Sequence, residues 1–239
     1  MKSTLGFDPR EIPWTSPSGQ WPDLAKDWLM PQRIKQVFAN PPDWSPEVKR
    51  EPTLGQRPPK QAAVLFPIVL RGEQGTEPHV LLTQRTMHLS SHAGQIAFPG
   101  GKVDQDDKSI EATALREAQE EVGLAPHLVD IVGSMPSYIT GTSFHITPVV
   151  GLVSPKHVVT PNPFEVDAVF EVPLCFLMNP ANHRLHQWER DGVLRQWYSM
   201  PYMEPPASSN GLHTERFIWG ATAGMIRNFY RFILAANSL

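Results

Sequence analysis

The stretch that most restricts the fold runs from Ile110 to Leu124, IEATALREAQEEVGL. Ile110, Ala114, Ala118 and Val122 recur every four residues, a spacing that aligns side chains along one side of an α-helix. Ser109 is placed to cap its start, with Glu111 in the first turn, and Gly123 to terminate it. The other side carries Glu117, Glu120 and Glu121 at i, i+3 and i+4, so their carboxylates project together. Each like-charged pair at that spacing costs an isolated helix about 0.2–0.5 kcal/mol, a cost that a bound divalent cation would reverse. One face must therefore be buried, and the other must either be solvated or hold something.

What flanks the helix favours a ligand. Pro99-Gly100-Gly101 comes just ahead, where the chain can bend sharply and bring backbone N–H groups of Gly100 and Gly101 close to a bound group. Arg116 opens the acidic segment and is placed to pair with a carboxylate and fix its orientation. Upstream, AAVLFPIVLR and HVLLTQR read as two strands separated by Gly72-Glu73-Gln74-Gly75. Ile96–Phe98 is a short strand. Leu128–Pro136, Phe144–Val153 and Val166–Val172 are further strand candidates, with short apolar stretches at Leu185–Trp188 and Leu194–Tyr198. The tail from Arg216 to Ala236 has helical spacing, with Phe217, Ile218, Ala221, Met225, Phe229 and Phe232/Ile233 able to share a side. This order predicts an α/β sandwich with a mixed β-sheet.

Residues 1–60 read differently. FDPREIPW, SPSGQWP, PPDW and RPPK hold many of the chain's 25 prolines, leaving one helix from about Pro22 to Phe38. The expected division is a proline-rich N-terminal arm over 1–60 and a folded domain over 61–239.

Composition excludes several classes. The formal net charge of −3, with no cluster of Lys and Arg, argues against a nucleic-acid partner. No run approaches the roughly 18 apolar residues of a membrane span. The opening MKSTLGFDPREIPW lacks the apolar core of a secretory signal, and the single cysteine permits no intrachain disulfide, so the cytoplasm is the expected location. Cys175, in VPLCFL, reads as a small buried hydrophobe without a chemical role. His145, His183, His186 and His213 lack zinc-type spacing and read as structural. No G-x-S-x-G supports serine chemistry.

Phe98-Pro99-Gly100-Gly101 through Arg116-Glu117-Ala118-Gln119-Glu120-Glu121-Val122-Gly123-Leu124 resembles the Nudix box, the signature of hydrolases that cleave nucleoside diphosphates linked to another moiety. The second half matches that pattern at every defined position. The first half is one residue longer, and Asp107 takes the place of the usual glutamate; it is not assigned as a metal ligand. Leu81-Leu82-Thr83-Gln84-Arg85-Thr86, then Leu89, His92, Gly94-Gln95-Ile96 and the Phe98–Gly101 turn, resembles the additional signature of coenzyme A pyrophosphatases within that superfamily. The lengthened box fits the same subgroup. The likeness extends over most of 61–236 and leaves 1–60 uncovered.

The resemblance implies a Nudix-type α/β/α sandwich and hydrolysis of the diphosphate of coenzyme A or acyl-CoA, giving a 3′-phosphorylated AMP and 4′-phosphopantetheine. It places Mg²⁺ or Mn²⁺ on Glu117 and Glu121, with Glu120 beside them. Glu120 and Glu165 are both candidates for general base, and Arg116 supports them. Arg85, His92 and Gln95, with the Gly100–Gly101 backbone, are expected to bind substrate phosphate. The implied partner is a small molecule, coenzyme A or a related nucleoside diphosphate derivative, and the sequence leaves monomer and homodimer both open. Two other readings stand beside this one: a pyrophosphatase for nucleotide sugars or dinucleotides, and a non-catalytic nucleotide sensor. Three mutually repelling carboxylates argue against the sensor.

Overall fold

The structure, a computed structural model, describes residues 7–17, 19, 21–51, 58–89, 92–190, 192–206 and 211–237. Its centre is β2, Lys60–Arg71, which pairs in parallel with β8, Phe144–Val153, and antiparallel with β3, Glu77–Arg85, and β5, Gly100–Lys102. β3 also pairs with β4, Ile96–Ala97, and with β9, Val166–Pro173. β8 carries β6, Val129–Ser134, and β7, Tyr138–Ile139. The result is an eight-stranded mixed sheet. Pro67 is tolerated in its middle strand because the Leu65 N–H, two residues earlier, points to Pro99 O, and Pro67 falls in the gap between the β5 and β3 pairings.

Side chains of β2 alternate between two cores, as a strand covered on both faces requires. Ala63, Leu65 and Val69 meet Ala114, Ala118 and Val122 of helix α2, Ile110–Val122. Val64, Phe66 and Ile68 face the larger core, built on helix α4, Gly220–Ala235. There the Phe66 and Phe229 rings are 4.9 Å apart. The architecture is thus the expected α/β/α sandwich.

Several elements differ from expectation. The N-terminal helix is broken: a 3₁₀ turn at Lys26–Leu29 ends at Met30, and α1 starts afresh at Pro31 and runs to Ala39. Proline is favourable at the first helical position and disruptive within a helix, so Pro31 begins an element instead of interrupting one. The tail is not helical from Arg216. Thr214–Trp219 is strand β12, and α4 begins only at Gly220, whose φ of +63° turns the chain. With β1, Trp14–Thr15, β10, Arg184–Arg190, and β11, Val193–Glu204, β12 forms a second, four-stranded antiparallel sheet. Gly100 and Gly101 lie in β5 and not in a free turn. Cys175 is exposed: in α3, Leu174–Leu177, the buried positions are Leu174 and Leu177, and the thiol lies on the other side.

Leu29, Ile34 and Val37 are buried in the larger core, so the arm contributes directly to it.

Candidate active site

α2 forms where the sequence places it. Ser109 Oγ accepts the Ala112 N–H at 3.2 Å, and Gly123, at φ +71°, caps the other end with Leu124 N–H donating to Ala118 O at 3.3 Å. Burial of Ala114, Ala118 and Val122 turns Glu117 and Glu121 toward β5. Glu121 is only 3% exposed. Its Oε2 accepts the Gly100 N–H at 3.1 Å, and its Oε1 takes Arg85 Nη1 at 3.4 Å. Both glycines are required sterically. A Cβ on Gly101 would overlap the Glu117 carboxylate, and one on Gly100 would collide with the Ala63 carbonyl.

Arg116 organises the acidic face. Its Nε and Nη2 donate to Asp107 Oδ1 and Oδ2 at 2.9 and 2.8 Å, a bidentate pair. Nη1 donates to Glu117 Oε1 at 2.9 Å and to Glu120 Oε2 at 3.0 Å, and Nη2 also reaches Lys102 O at 3.1 Å. Asp107 further accepts from Thr113 Oγ1 at 2.8 Å and Asp104 N–H at 2.9 Å. These donors, led by Arg116, hold its carboxyl well below the usual range. Asp107 therefore anchors the arginine from the loop ahead of α2.

Glu165 is brought in by the loop after β8. That loop is fastened to the end of α2: Thr160 N–H donates to Val122 O and Asn162 N–H to Glu121 O, both at 2.8 Å. Asn162 Nδ2 then approaches Glu165 Oε1 at 3.4 Å. Burial pushes the Glu121 carboxyl up to about 7, opposed by Gly100 and Arg85 and reinforced by the charges of Glu165 and Glu117. Glu117 is also raised, by burial first, against Arg116 and with Glu120 and Glu165. Glu117, Glu121 and Glu165 thus share one electrostatic environment. Glu120 stands farther out, its side chain 57% exposed.

Arg85 joins this group through Glu121 rather than facing open solvent. His92 and Gln95 sit nearby in the β3–β4 loop, with Gln95 N–H donating to His92 O and Gln95 O accepting from the Arg85 N–H at 2.9 Å. Their side chains bond to each other, His92 Nδ1 to Gln95 Oε1 at 2.8 Å. His92 adopts φ +56° and is exposed.

A family model described as NUDIX domain matches residues 59–208. The chain belongs to the Nudix family. A protein of Escherichia coli O7:K1 named "Uncharacterized Nudix hydrolase NudL" is 43% identical over 183 residues, covering 76% of this chain and 85% of its own. The protein of the same name from Shigella flexneri gives the same identity and coverage. Among solved structures, a MutT/nudix family protein from Enterococcus faecalis covers 84% of this chain and 73% of that chain, with 17% identity and a TM-score of 0.43. The protein is thus a Nudix hydrolase, an enzyme of diphosphate chemistry. No described helix is long and apolar enough to cross a membrane.

Nudix hydrolases use divalent metal ions, and carboxylate oxygens are the donors such hard cations take. Glu117 and Glu121 fit that requirement chemically, being carboxylates whose charged forms are destabilised where they stand. As placed, no three His, Cys, Asp or Glu side chains among the described residues are close enough to hold one ion. Their oxygens are engaged in hydrogen bonds: Arg116 donates to Glu117 and Glu120, while Gly100 and Arg85 donate to Glu121. A cation would compete for those oxygens.

Two contributors were not singled out from sequence. Asp107 was seen only as a replaced glutamate, yet it sets the Arg116 guanidinium. Asn162 links the end of α2 to Glu165, and its Pro161-Asn162-Pro163 setting signals only a turn.

Proposed function

We propose that this Nudix hydrolase cleaves the diphosphate linkage of coenzyme A or its acyl derivatives, yielding a 3′-phosphorylated AMP and 4′-phosphopantetheine, with Mg²⁺ or Mn²⁺. The observation that carries this reading is the shared environment of Glu117, Glu121 and Glu165 beside the segment 81–101, whose residues resemble the coenzyme A pyrophosphatase signature. Bound divalent cations would neutralise the diphosphate oxygens and make water more acidic. Glu117 and Glu121 would hold them, with Glu120 at the outer edge.

The chain's own groups then position and exchange protons. Glu165 is favoured over Glu120 as the base that accepts a proton from water, because its charge acts on both Glu117 and Glu121 whereas Glu120 is largely solvated and tied to Arg116. Arg116, fixed by Asp107, holds the Glu117 carboxylate in orientation. Arg85, with the His92–Gln95 pair on the next loop, lines the side where substrate phosphate would lie, and the Gly100–Gly101 backbone allows close approach.

A panel of diphosphates assayed with Mg²⁺ tests the reading. Coenzyme A should be hydrolysed with the highest kcat/KM. Nucleotide sugars or dinucleotides turning over as fast or faster would overturn the substrate assignment. On coenzyme A, Glu165→Gln should lower kcat about 10²-fold or more and Glu120→Gln much less, the range of a positioned proton acceptor. The reverse order would transfer the role to Glu120.

A further inference from the structure

The loop that delivers Glu165 also presents a phenylalanine. Phe164 is 76% exposed, and its Cα is one peptide, about 3.8 Å, from that of Glu165. We propose that the Phe164 ring is the face on which the base of a nucleotide substrate stacks, which makes Phe164 a specificity-determining residue; the inference rests on the site above acting on a nucleotide.

Exposure by itself carries little, because single apolar side chains are common on protein surfaces. Two observations set this one apart. The first is that its ring lacks a partner. Of the chain's eleven phenylalanines, the other ten each have an aromatic ring or a cation beside them. Trp14, also exposed, carries the Arg184 guanidinium 4.5 Å from its ring centroid. Among the described residues, no ring or cation stands over Phe164 in this way.

The second is that the backbone holding the ring out is fixed on both sides. The Phe164 N–H donates to Asn162 Oδ1 at 3.1 Å, and the Phe164 carbonyl accepts from Thr86 Oγ1 at 3.3 Å and from His88 Nε2 at 3.1 Å. The next residue is held as well: Glu165 O accepts the Thr86 N–H and Glu165 N–H donates to Asn162 O, both at 3.0 Å. Pro163 restricts the chain just ahead. A ring on such a base is in position before a ligand arrives, so little ordering is left for binding to offset.

These same bonds join the ring to the acidic site. Thr86, which ties down both Phe164 and Glu165, follows Arg85, whose Nη1 meets Glu121 Oε1 at 3.4 Å. Asn162, on the other side, donates its N–H to Glu121 O at 2.8 Å and approaches Glu165 Oε1 with its Nδ2 at 3.4 Å. The ring therefore stands at the edge of the carboxylate cluster, where one nucleotide can place its diphosphate at Glu117 and Glu121 and its base on Phe164. A flat base suits a lone ring better than an alkyl chain does. Stacking on a single aromatic face strengthens binding by about 5- to 150-fold for any base, whereas a chain gains by being enclosed.

Two measurements on the full chain with Mg²⁺ decide the proposal. By calorimetry, 5′-AMP should bind wild type about fivefold or more tightly than ribose 5-phosphate, which lacks only the base. Phe164→Ala and Phe164→Leu should both reduce that preference below about twofold, and Phe164→Trp should keep it. In turnover, Phe164→Ala should raise KM for coenzyme A about fivefold or more and lower kcat by less. Equal affinity for the two ligands in wild type, or a preference that survives in Phe164→Ala or Phe164→Leu, overturns the stacking face. A loss confined to long-chain acyl derivatives, with free coenzyme A unaffected, overturns it in favour of an acyl contact. If coenzyme A is not hydrolysed, the coenzyme A reading fails alone, because the comparison of 5′-AMP with ribose 5-phosphate involves no cleavage and still decides the role of Phe164. The ring is exposed and its backbone bonds persist in every variant, so melting temperatures should match wild type. A fall of about 5 °C or more in Phe164→Ala would make the ring a structural contact and overturn the proposal.

Discussion

Two charge clusters on opposite faces of the central sheet use the same residue types to opposite effect. On the α2 face, burial leaves Glu121 with a carboxyl raised to about 7, and Glu117 and Glu165 add repulsion. On the α4 face, burial also pushes Glu47 up, but a hydrogen bond from Tyr198 OH and the charges of Arg227 and Arg231 bring it below its ordinary value. Arg227 Nε and Arg231 Nη1 reach Glu47 Oε2 at 3.0 and 2.7 Å. Arg227 is completely buried, flanked by the rings of Trp21, Tyr198 and Tyr230 and donating through Nη1 to His183 Nδ1 at 3.1 Å. Burial alone thus does not mark function. What sets the α2 cluster apart is a carboxylate left short of compensation, the condition that the proposed cation site would use.

Substitution should separate the clusters. Glu121→Gln should lower kcat/KM more than about a thousandfold, about 4 kcal/mol of transition-state stabilisation, while its melting temperature stays level or rises because repulsion is relieved. Near-normal turnover would remove Glu121 from the metal site. Glu47→Gln should do the converse, lowering stability in urea by about 3 kcal/mol, since a buried guanidinium loses its counterion, with kcat on the properly folded fraction close to wild type. A loss below about 1 kcal/mol would show the α4 cluster to be no more than a surface ion pair.

The smallest difference is in pH dependence. His183 is lowered to about 4, by burial first and also by Arg227, with opposing contributions from the Leu177 carbonyl and Glu47. The fold favours its neutral form, so its contribution to stability is complete above about 6.5 and fades as pH falls toward 4. Glu121, raised, has the opposite sign: in the metal-free protein its contribution is present below about 4.5 and fades as pH rises through 7. Urea midpoints between pH 4 and 8 should therefore show an upper slope that Glu121→Gln removes and a lower slope that it leaves. A variant retaining both slopes would assign the upper one to another group.

What was legible in the sequence was local. The α2 stripe, the Ser109 cap and the Gly123 terminus act within one helix, and the long runs of β2, β3 and β8 are apolar because both sheet faces are covered. The second sheet was obscured because β10 and β11 mix polar and aromatic residues, and β12 flows directly into α4 with no residue between them, the turn being made at Gly220, the first of the helix. In the site, the cluster of Glu117, Glu120 and Glu121 could be read from spacing. The fastening of Glu165 to the helix end could not, since it depends on Asn162 meeting Glu121 across the fold. The exposure of Cys175 escaped for a related reason: a run of apolar residues does not tell which side a one-turn helix presents.

The larger core takes Leu29, Ile34 and Val37 from ahead of the matched span 59–208, and Phe229, Phe232 and Ile233 from beyond it. The catalytic segment is therefore not a portable cassette. Gene fusion or domain shuffling that carried it alone would expose Phe66 and its neighbours, so its inheritance should be all or nothing, with arm, sheets and closing helix travelling as one exon-like unit.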